Sequence, residues 1–200
     1  MKQVLFSESI LYTDIEDKHI KKLFLSILKK EKQKNNCMLK SNRGGFQTGN
    51  ILDQKLGIFL IKNAGDLIIE HYKFKNNIKL ILSNFWINEN NKHNYNRSHV
   101  HVGINSKTGL NINFSGIYYL EVPKNSGNLY FESNDIVRYS YENLNSNVID
   151  NSDFRQETFF IPTKNKFIVF PAHLRHGVES NLSNKKRISV AFNFIIQNEI

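Results

Sequence analysis

From residue 78 onward, apolar side chains recur at alternate positions in eight runs: 78–87, 98–102, 111–122, 128–132, 157–161, 167–170, 176–179 and 187–196. Each is rich in Ile, Val, Phe or Tyr and bounded by Asn, Gly, Ser or Pro, the signature of β-strands. Upstream the period lengthens to that of helices. Thr13 or Asp14 is placed to cap a helix running to about residue 34, with apolar residues at 15, 20, 23, 24, 27 and 28. A second helix is expected over about 53–74, with Leu56, Phe59, Leu60, Leu67 and Ile68 on one stripe and Gly57 and Gly65 weakening its edges. Strands that follow helices without alternating with them argue against a parallel α/β sheet. They predict a mainly β fold, a closed or double-layered antiparallel sheet packed on one side by two helices. No linker divides the chain, so residues 1–76 read as helical support and 77–200 as the β core of one domain. The polar stretch 139–153 has no period and is expected to form a loop over a site, with the turn at 106–109 beside it.

Charge changes this picture little. The 200 residues carry 27 Lys and Arg against 18 Asp and Glu, a formal charge of +9. Nine of the 21 lysines fall in the first 40 residues, where Lys18, Lys21, Lys22, Lys29 and Lys32 form the solvated face of the first helix. A nucleic-acid surface would interleave arginine and aromatics along a groove-sized element, so nucleic acid is disfavoured as a partner. No apolar run reaches the roughly 18 residues of a membrane span, and the stretch at 23–28 is broken by Ser26 and flanked by lysines. A cytoplasmic protein, neither secreted nor membrane-spanning, is the expectation. The single cysteine, Cys37, rules out an internal disulfide framework and a CxxC site, so any metal must be held by His or carboxylate.

Three of the seven histidines fall in a pattern with meaning for metals. In an extended strand, residues i and i+2 share a face, so His99 and His101 of Ser98-His99-Val100-His101-Val102 can converge on one ion. His176, just beyond the aromatic run ending in Phe170-Pro171, is a suitable third donor from a facing strand. Three ligands on one side leave the opposite positions open. An HxH pair alone is also compatible with packed, hydrogen-bonded core histidines. A second feature adds weight: Arg187 and Ser189 lie on one face of the run that begins eleven residues after His176, and a fixed guanidinium beside a hydroxyl makes a carboxylate clamp. His93 and His173 are the remaining candidates nearby, and Trp86 and Asn88 share a face on which they could touch a ligand.

The order of these motifs resembles the iron(II)- and 2-oxoglutarate-dependent oxygenases of the prolyl-hydroxylase-like side: an HxH or HxD pair, Ile117-Tyr118-Tyr119-Leu120, then FPxxxxH over 170–176, and RxS over 187–189. More narrowly, residues 41–48, 86–88, 96–101, 115–119 and 170–193 are similar to a group of oxygenases from marine bacteria and their phages. The resemblance implies a double-stranded β-helix of the jelly-roll, cupin-like type holding Fe(II), with 2-oxoglutarate on the metal and its far carboxylate paired to Arg187. It assigns Tyr118 to the tyrosine that reaches the same carboxylate, and hydroxylation with release of succinate and CO2 as the activity. Most such enzymes use two His and one carboxylate, and His101 stands at the carboxylate position. Two other readings therefore stay open: a three-His dioxygenase that does not use 2-oxoglutarate, and a non-catalytic jelly-roll binding module. The substrate, small molecule or peptide, and the oligomeric state cannot be read from the residues.

Overall fold

In the computed structural model, which describes residues 8–198 apart from 36, 39, 75–76, 106–108 and 134–156, both expected helices form. The 139–153 stretch and most of the 106–109 turn lie outside the described residues. Helix α1 (Lys18–Gln33) starts at Asp17, whose carboxylate accepts the Ile20 N–H at 2.9 Å. Such a cap contributes about 1 kcal/mol. Thr13 and Asp14 do not cap the helix, as the sequence pattern suggested. They end strand β1 (Leu11–Asp14), which pairs antiparallel with β9 (Lys166–Pro171) and is tied there by a Lys166–Asp14 ion pair of 2.7 Å. Helix α2 (Gln54–His71) is capped in the same way by Asp53, which accepts from Leu56 N at 2.9 Å. Its Leu56, Leu60, Ala64 and Ile68, spaced four apart, are fully buried.

The remaining described strands are β2 (Asn42–Arg43), β3 (Phe46–Gln47), β4 (Ile78–Asn90), β5 (Tyr95–His99), β6 (Phe114–Glu121), β7 (Leu129–Glu132), β8 (Glu157–Phe160), β10 (His176–Val178) and β11 (Arg187–Asn198). They form a six-stranded sheet in the order β1-β9-β6-β11-β4-β3 and a five-stranded sheet in the order β2-β5-β10-β7-β8, with antiparallel pairing throughout. This is the jelly roll that the resemblance implies. The division at residue 76 is not clean, because β1, β2 and β3 extend both sheets from the N-terminal part. No described helix is long and apolar enough to cross a membrane.

Alternation along the six-stranded sheet sorts its residues into two layers. Tyr118, Leu120, Phe167, Val169, Val190 and Phe192 point to the helices and join Phe24, Leu28 and Leu56 in the larger apolar cluster. Each fully buried aromatic or aliphatic side chain here stabilises the fold by about 1.5–3 kcal/mol. Gly116 leaves room for the Phe192 ring in this layer, where a β-carbon would collide with it. The intervening residues face the five-stranded sheet. Ile117, Tyr119, Ile168 and Phe170 meet Leu129 and Phe131 there in a smaller cluster. The rest of that inner face is polar, which is where a fold with so much apolar surface places its chemistry.

Candidate metal centre

Cross-strand register sets out the inner face in tiers. Arg187 lies opposite Asn90; two residues along, Ser189 is flanked by Tyr119 on β6 and Asn88 on β4, and Asn88 is opposite Gln47 on β3. Next come Ala191 with Ile117 and Trp86, then Asn193 with Ser115 and Asn84. The last tier is tied by hydrogen bonds, Ser115 Oγ to Asn193 Oδ1 at 2.7 Å and Asn193 Nδ2 to Asn84 Oδ1 at 2.9 Å.

The five-stranded sheet brings the histidines against this face. His176 on β10 is the register partner of His99 on β5, and their ring centroids lie 4.5 Å apart. His101 lies two residues past the end of β5, where its N–H bonds the Ala172 carbonyl at 2.9 Å. Its ring is 4.7 Å from that of His99 and 5.2 Å from that of His176. The two rings converge as expected, but not from one strand: His99 ends β5 and His101 is the second residue beyond it. One nitrogen from each ring lies within 4.8 Å of the others, the single such His, Cys, Asp or Glu group among the described residues.

Backbone carbonyls orient two of the rings. His99 Nδ1 contacts Arg97 O and His176 Nδ1 contacts Leu174 O, each at 2.8 Å. A carbonyl only accepts, so Nδ1 carries the proton in both rings and Nε2 keeps its lone pair, the arrangement that suits a metal ligand. Burial also keeps the rings neutral. It pushes His101 down to about 2, helped by the neighbouring His176, His99 and Lys40 charges. Burial likewise takes His176 to about 3, with His99 adding and the Leu174 carbonyl opposing. His99 is lowered for the same first reason, against the carbonyls that hold it. Three neutral imidazoles in one cleft fit Fe(II), although no carboxylate completes the more common facial set. His173 is outside the cluster, paired with Glu8 at 2.8 Å on the surface, and His93 is a loop residue with φ of 67°.

The same cleft is lined by Arg187, Ser189 and Tyr119. Arg187 is 1% exposed and makes no ion pair among the described residues. Its Nη1 donates to the carbonyls of Ser126 and Glu179, the latter at 3.2 Å. Gly127 permits this approach: it has φ of +87°, and a β-carbon there would strike Glu179 O and crowd Nη1. Among the described residues, Nη2 is buried with no hydrogen-bond partner, and so is the Tyr119 hydroxyl. Burial drives the Tyr119 phenol up to about 12, the Arg187 charge opposing, so it stays a neutral donor. An uncompensated buried guanidinium costs several kcal/mol. Two unused donors in one cleft fit a carboxylate that arrives with a ligand.

Tyr118 is a correction. It points to the helices, donates to Ile15 O at 2.9 Å and packs against Phe24 and Phe59 at 6.3 and 5.5 Å. Adjacent strand residues face opposite ways, so Tyr119 occupies the cleft instead. The sequence pattern also missed Gln47, whose buried Oε1 has no partner, and the Ser126-Gly127 turn that holds Arg187. The cue for Tyr119 was parity: it shares its face with Ser115, whereas Tyr118 shares its face with Phe114 and Leu120.

Comparison with known proteins agrees with this geometry. Residues 84–193 match the family model described as "Putative 2OG-Fe(II) oxygenase". No curated protein sequence matches the chain. Among solved structures, a Pseudomonas putida prolyl-4-hydroxylase superposes with a TM-score of 0.60 at 13% identity, covering 94% of this chain and 92% of that one. The collagen prolyl hydroxylase of Paramecium bursaria Chlorella virus-1, in its 2OG complex, does so with a TM-score of 0.57 at 13% identity, covering 92% and 95%. The chain spans just over half, 56%, of a Burkholderia pseudomallei oxidoreductase of the 2OG-Fe(II) oxygenase family, covering 70% of this chain at 14% identity and a TM-score of 0.49. At these identities the superpositions speak for the fold.

Proposed function

Since the chain belongs to the 2OG-Fe(II) oxygenase family and is thereby an oxidoreductase that uses Fe(II) and 2-oxoglutarate, we propose that it hydroxylates an organic substrate with release of succinate and CO2. In this reading His99, His101 and His176 hold the metal, and Arg187, Tyr119 and Ser189 receive the far carboxylate of 2-oxoglutarate. The observation that carries the reading is the buried guanidinium of Arg187, with Nη2 unpaired beside the unpaired Tyr119 hydroxyl, in the cleft that the three imidazoles line.

Fe(II) with 2-oxoglutarate, when bound, supplies the oxidising chemistry: decarboxylation of the 2-oxo acid to succinate and CO2, with one oxygen atom of O2 passing into a substrate C–H bond. The protein's own residues bind, orient and exclude water. The Arg97 and Leu174 carbonyls fix the ring orientation of His99 and His176. Arg187, held by two backbone carbonyls, offers its remaining edge to a carboxylate as a charged fork. Phe170, 4.7 Å from the His176 ring, and Trp86, 5.7 Å from that of His101, wall the metal side with apolar surface. The absence of a carboxylate from the three-His set leaves the bound centre one unit more positive, which favours an anionic cosubstrate there. We place this activity in the cytoplasm of a bacterium or of a phage-infected host.

Anaerobic calorimetry of 2-oxoglutarate against the Fe(II)-loaded protein, together with succinate detection in air, tests the reading. We expect binding that weakens about 100-fold in Arg187→Ala, the loss of a charge-assisted, two-pronged contact. Iron binding without succinate formation, and with 2-oxoglutarate affinity indifferent to Arg187, would instead support a three-His dioxygenase with another cosubstrate.

A further inference from the structure

A second cleft, of about 460 Å³, opens beside the imidazoles and shares Ser41, Trp86, His99 and His101 with the first. Its size is that of a metabolite site. Pairing of β2 with β5, together with the Arg97 N–H to Ser41 O bond of 3.0 Å, brings Lys40, Arg43 and Arg97 to its lip. No carboxylate lines it.

The protein is basic overall, and lysines such as Lys18, Lys22 and Lys62 on the surface also lack an ion pair among the described residues, so the telling feature is that three unpaired cations meet at one cleft beside the imidazoles. Elsewhere on the surface Lys21, Lys32, Lys34, Lys166, Arg175 and Lys186 each meet a carboxylate within 4.0 Å. Lys40, Arg43 and Arg97 meet none among the described residues. Arg43 is held at the lip through Nη1, which donates to Lys40 O at 2.5 Å and to Asn42 O at 3.1 Å. The charge of Lys40 is felt by His101. Arg97 lines the cleft, and its carbonyl orients His99. Below these cations two buried polar atoms have no partner: Gln47 Oε1, in a residue 2% exposed, and Ser98 Oγ. Both residues line this cleft.

We propose that the substrate of the oxygenase is a small organic anion, a carboxylate or phosphate ester, that also carries a hydroxyl or amide N–H. Its anionic group docks on Arg97, Arg43 and Lys40, its donor bonds Gln47 Oε1, and the carbon between them lies over the His99–His101 edge of the metal centre. The inference rests on the proposed oxygenase reading for the identity of the centre. The cations cluster at one lip of a metabolite-sized cleft rather than running in a stripe, which favours a small anion over a nucleic acid. Arginine forks recognise planar or tetrahedral oxyanions in two-pronged fashion, and such contacts weaken as salt rises.

The test uses matched pairs: N-acetylamino acids with their N-methylamides, sugar phosphates with the parent sugars, nucleoside monophosphates with nucleosides. Binding is read by calorimetry on the Zn(II)- and 2-oxoglutarate-treated protein, and stimulation by succinate release from the Fe(II) enzyme. We expect the anionic member of at least one pair to bind and stimulate where its neutral counterpart does not, the pair identifying carboxylate or phosphate as the source. Arg97→Gln and, independently, Lys40→Gln should each raise KM for that anion about tenfold, with the KM for 2-oxoglutarate moving less than about twofold. Gln47→Leu should raise KM for the intact anion but not for an analogue lacking the donor. Neutral members that bind or stimulate as well as their anions, a panel in which no anion binds, or KM values indifferent to Arg97 and Lys40 would overturn the proposal. Short oligonucleotides that outcompete the mononucleotides would overturn it in favour of a nucleic-acid surface. Anion binding that depends on Arg97 without any succinate release would keep this cleft as an anion site, overturn the anion's role as the substrate, and remove the proposed hydroxylation.

Discussion

The two faces of the six-stranded sheet are made by the same strands and carry opposite kinds of residue. Toward the helices, Tyr118, Phe167, Val190 and Phe192 are 0% exposed within one apolar layer. One step along each strand, toward the five-stranded sheet, stand Tyr119, Arg187, Ser189 and Asn193, also buried but polar. The difference teaches how a 200-residue chain accommodates a guanidinium out of water, facing three imidazoles that the opposite sheet supplies. The outer face supplies hydrophobic stabilisation that offsets the desolvation of the inner one. Because successive residues along these strands alternate between the faces, substitutions on the two faces should separate stability from chemistry.

The largest effect should come from setting His176→Ala against Phe167→Ala. Loss of His176 removes one of three ligands and should bring iron content and succinate formation to background. The metal-free variant should melt within a few degrees of the metal-free parent, since a neutral ring among Phe131, Phe170 and His99 contributes packing and one hydrogen bond to Leu174 O. Phe167 is fully buried, with ring contacts to Tyr118 at 5.8 Å and Phe192 at 5.0 Å. Its truncation should cost about 3–5 kcal/mol in urea unfolding, while the folded fraction still binds iron. Equal destabilisation by the two variants would refute the separation of roles.

Acid should act on the inner face alone. His99, His101 and His176 are held below the ordinary value of 6.5 in the folded protein, chiefly by burial. Once unfolded they regain that ordinary value, so between it and their lower folded values the unfolded chain binds more protons. Stability of the metal-free protein is therefore complete above about pH 6.5 and declines as pH falls further. Thermal melts in chelator should show a Tm several degrees lower near pH 5 than near pH 7.5. The drop should shrink in a His101→Ala/His176→Ala double variant and persist in Phe167→Ala. A drop of the same size in the double variant would move its origin to other groups.

How much of this was legible beforehand follows the same division. Most of the eight strand runs from residue 78 onward, and both helices, were visible because they bury an apolar face whose period shows in the sequence, as Leu56, Leu60, Ala64 and Ile68 do in α2. Strands β1, β2 and β3 were not: β2 and β3 hold two residues each, and all three form by backbone pairing to longer neighbours. The convergence of His99, His101 and His176 followed from the HxH spacing plus a distant His, although β5 stops at His99 and the Ala172 carbonyl positions His101. The anchoring of Arg187 was invisible: Ser126 and Glu179 hold it through main-chain carbonyls, which no side-chain pattern reports.

The adjacent tyrosines give the smallest and sharpest comparison, because one hydroxyl is removed on each face with the ring retained. The Tyr118 hydroxyl bonds Ile15 O at 2.9 Å, linking β6 to the segment between β1 and α1. Tyr118→Phe should lower stability by about 1 kcal/mol and leave the KM for 2-oxoglutarate unchanged. The Tyr119 hydroxyl is buried without a partner, so Tyr119→Phe removes an unsatisfied group and should leave the metal-free protein as stable or slightly more so. With its donor gone, the affinity for 2-oxoglutarate should fall about tenfold, read by anaerobic calorimetry on the metal-loaded variant. The reversed outcome, with Tyr118→Phe weakening 2-oxoglutarate and Tyr119→Phe weakening the fold, would mean that β6 is shifted by one residue relative to β11. The inner face would then present Leu120 and Tyr118 to the cleft, and the assignment of Arg187 to a ligand carboxylate would lose its neighbouring donor.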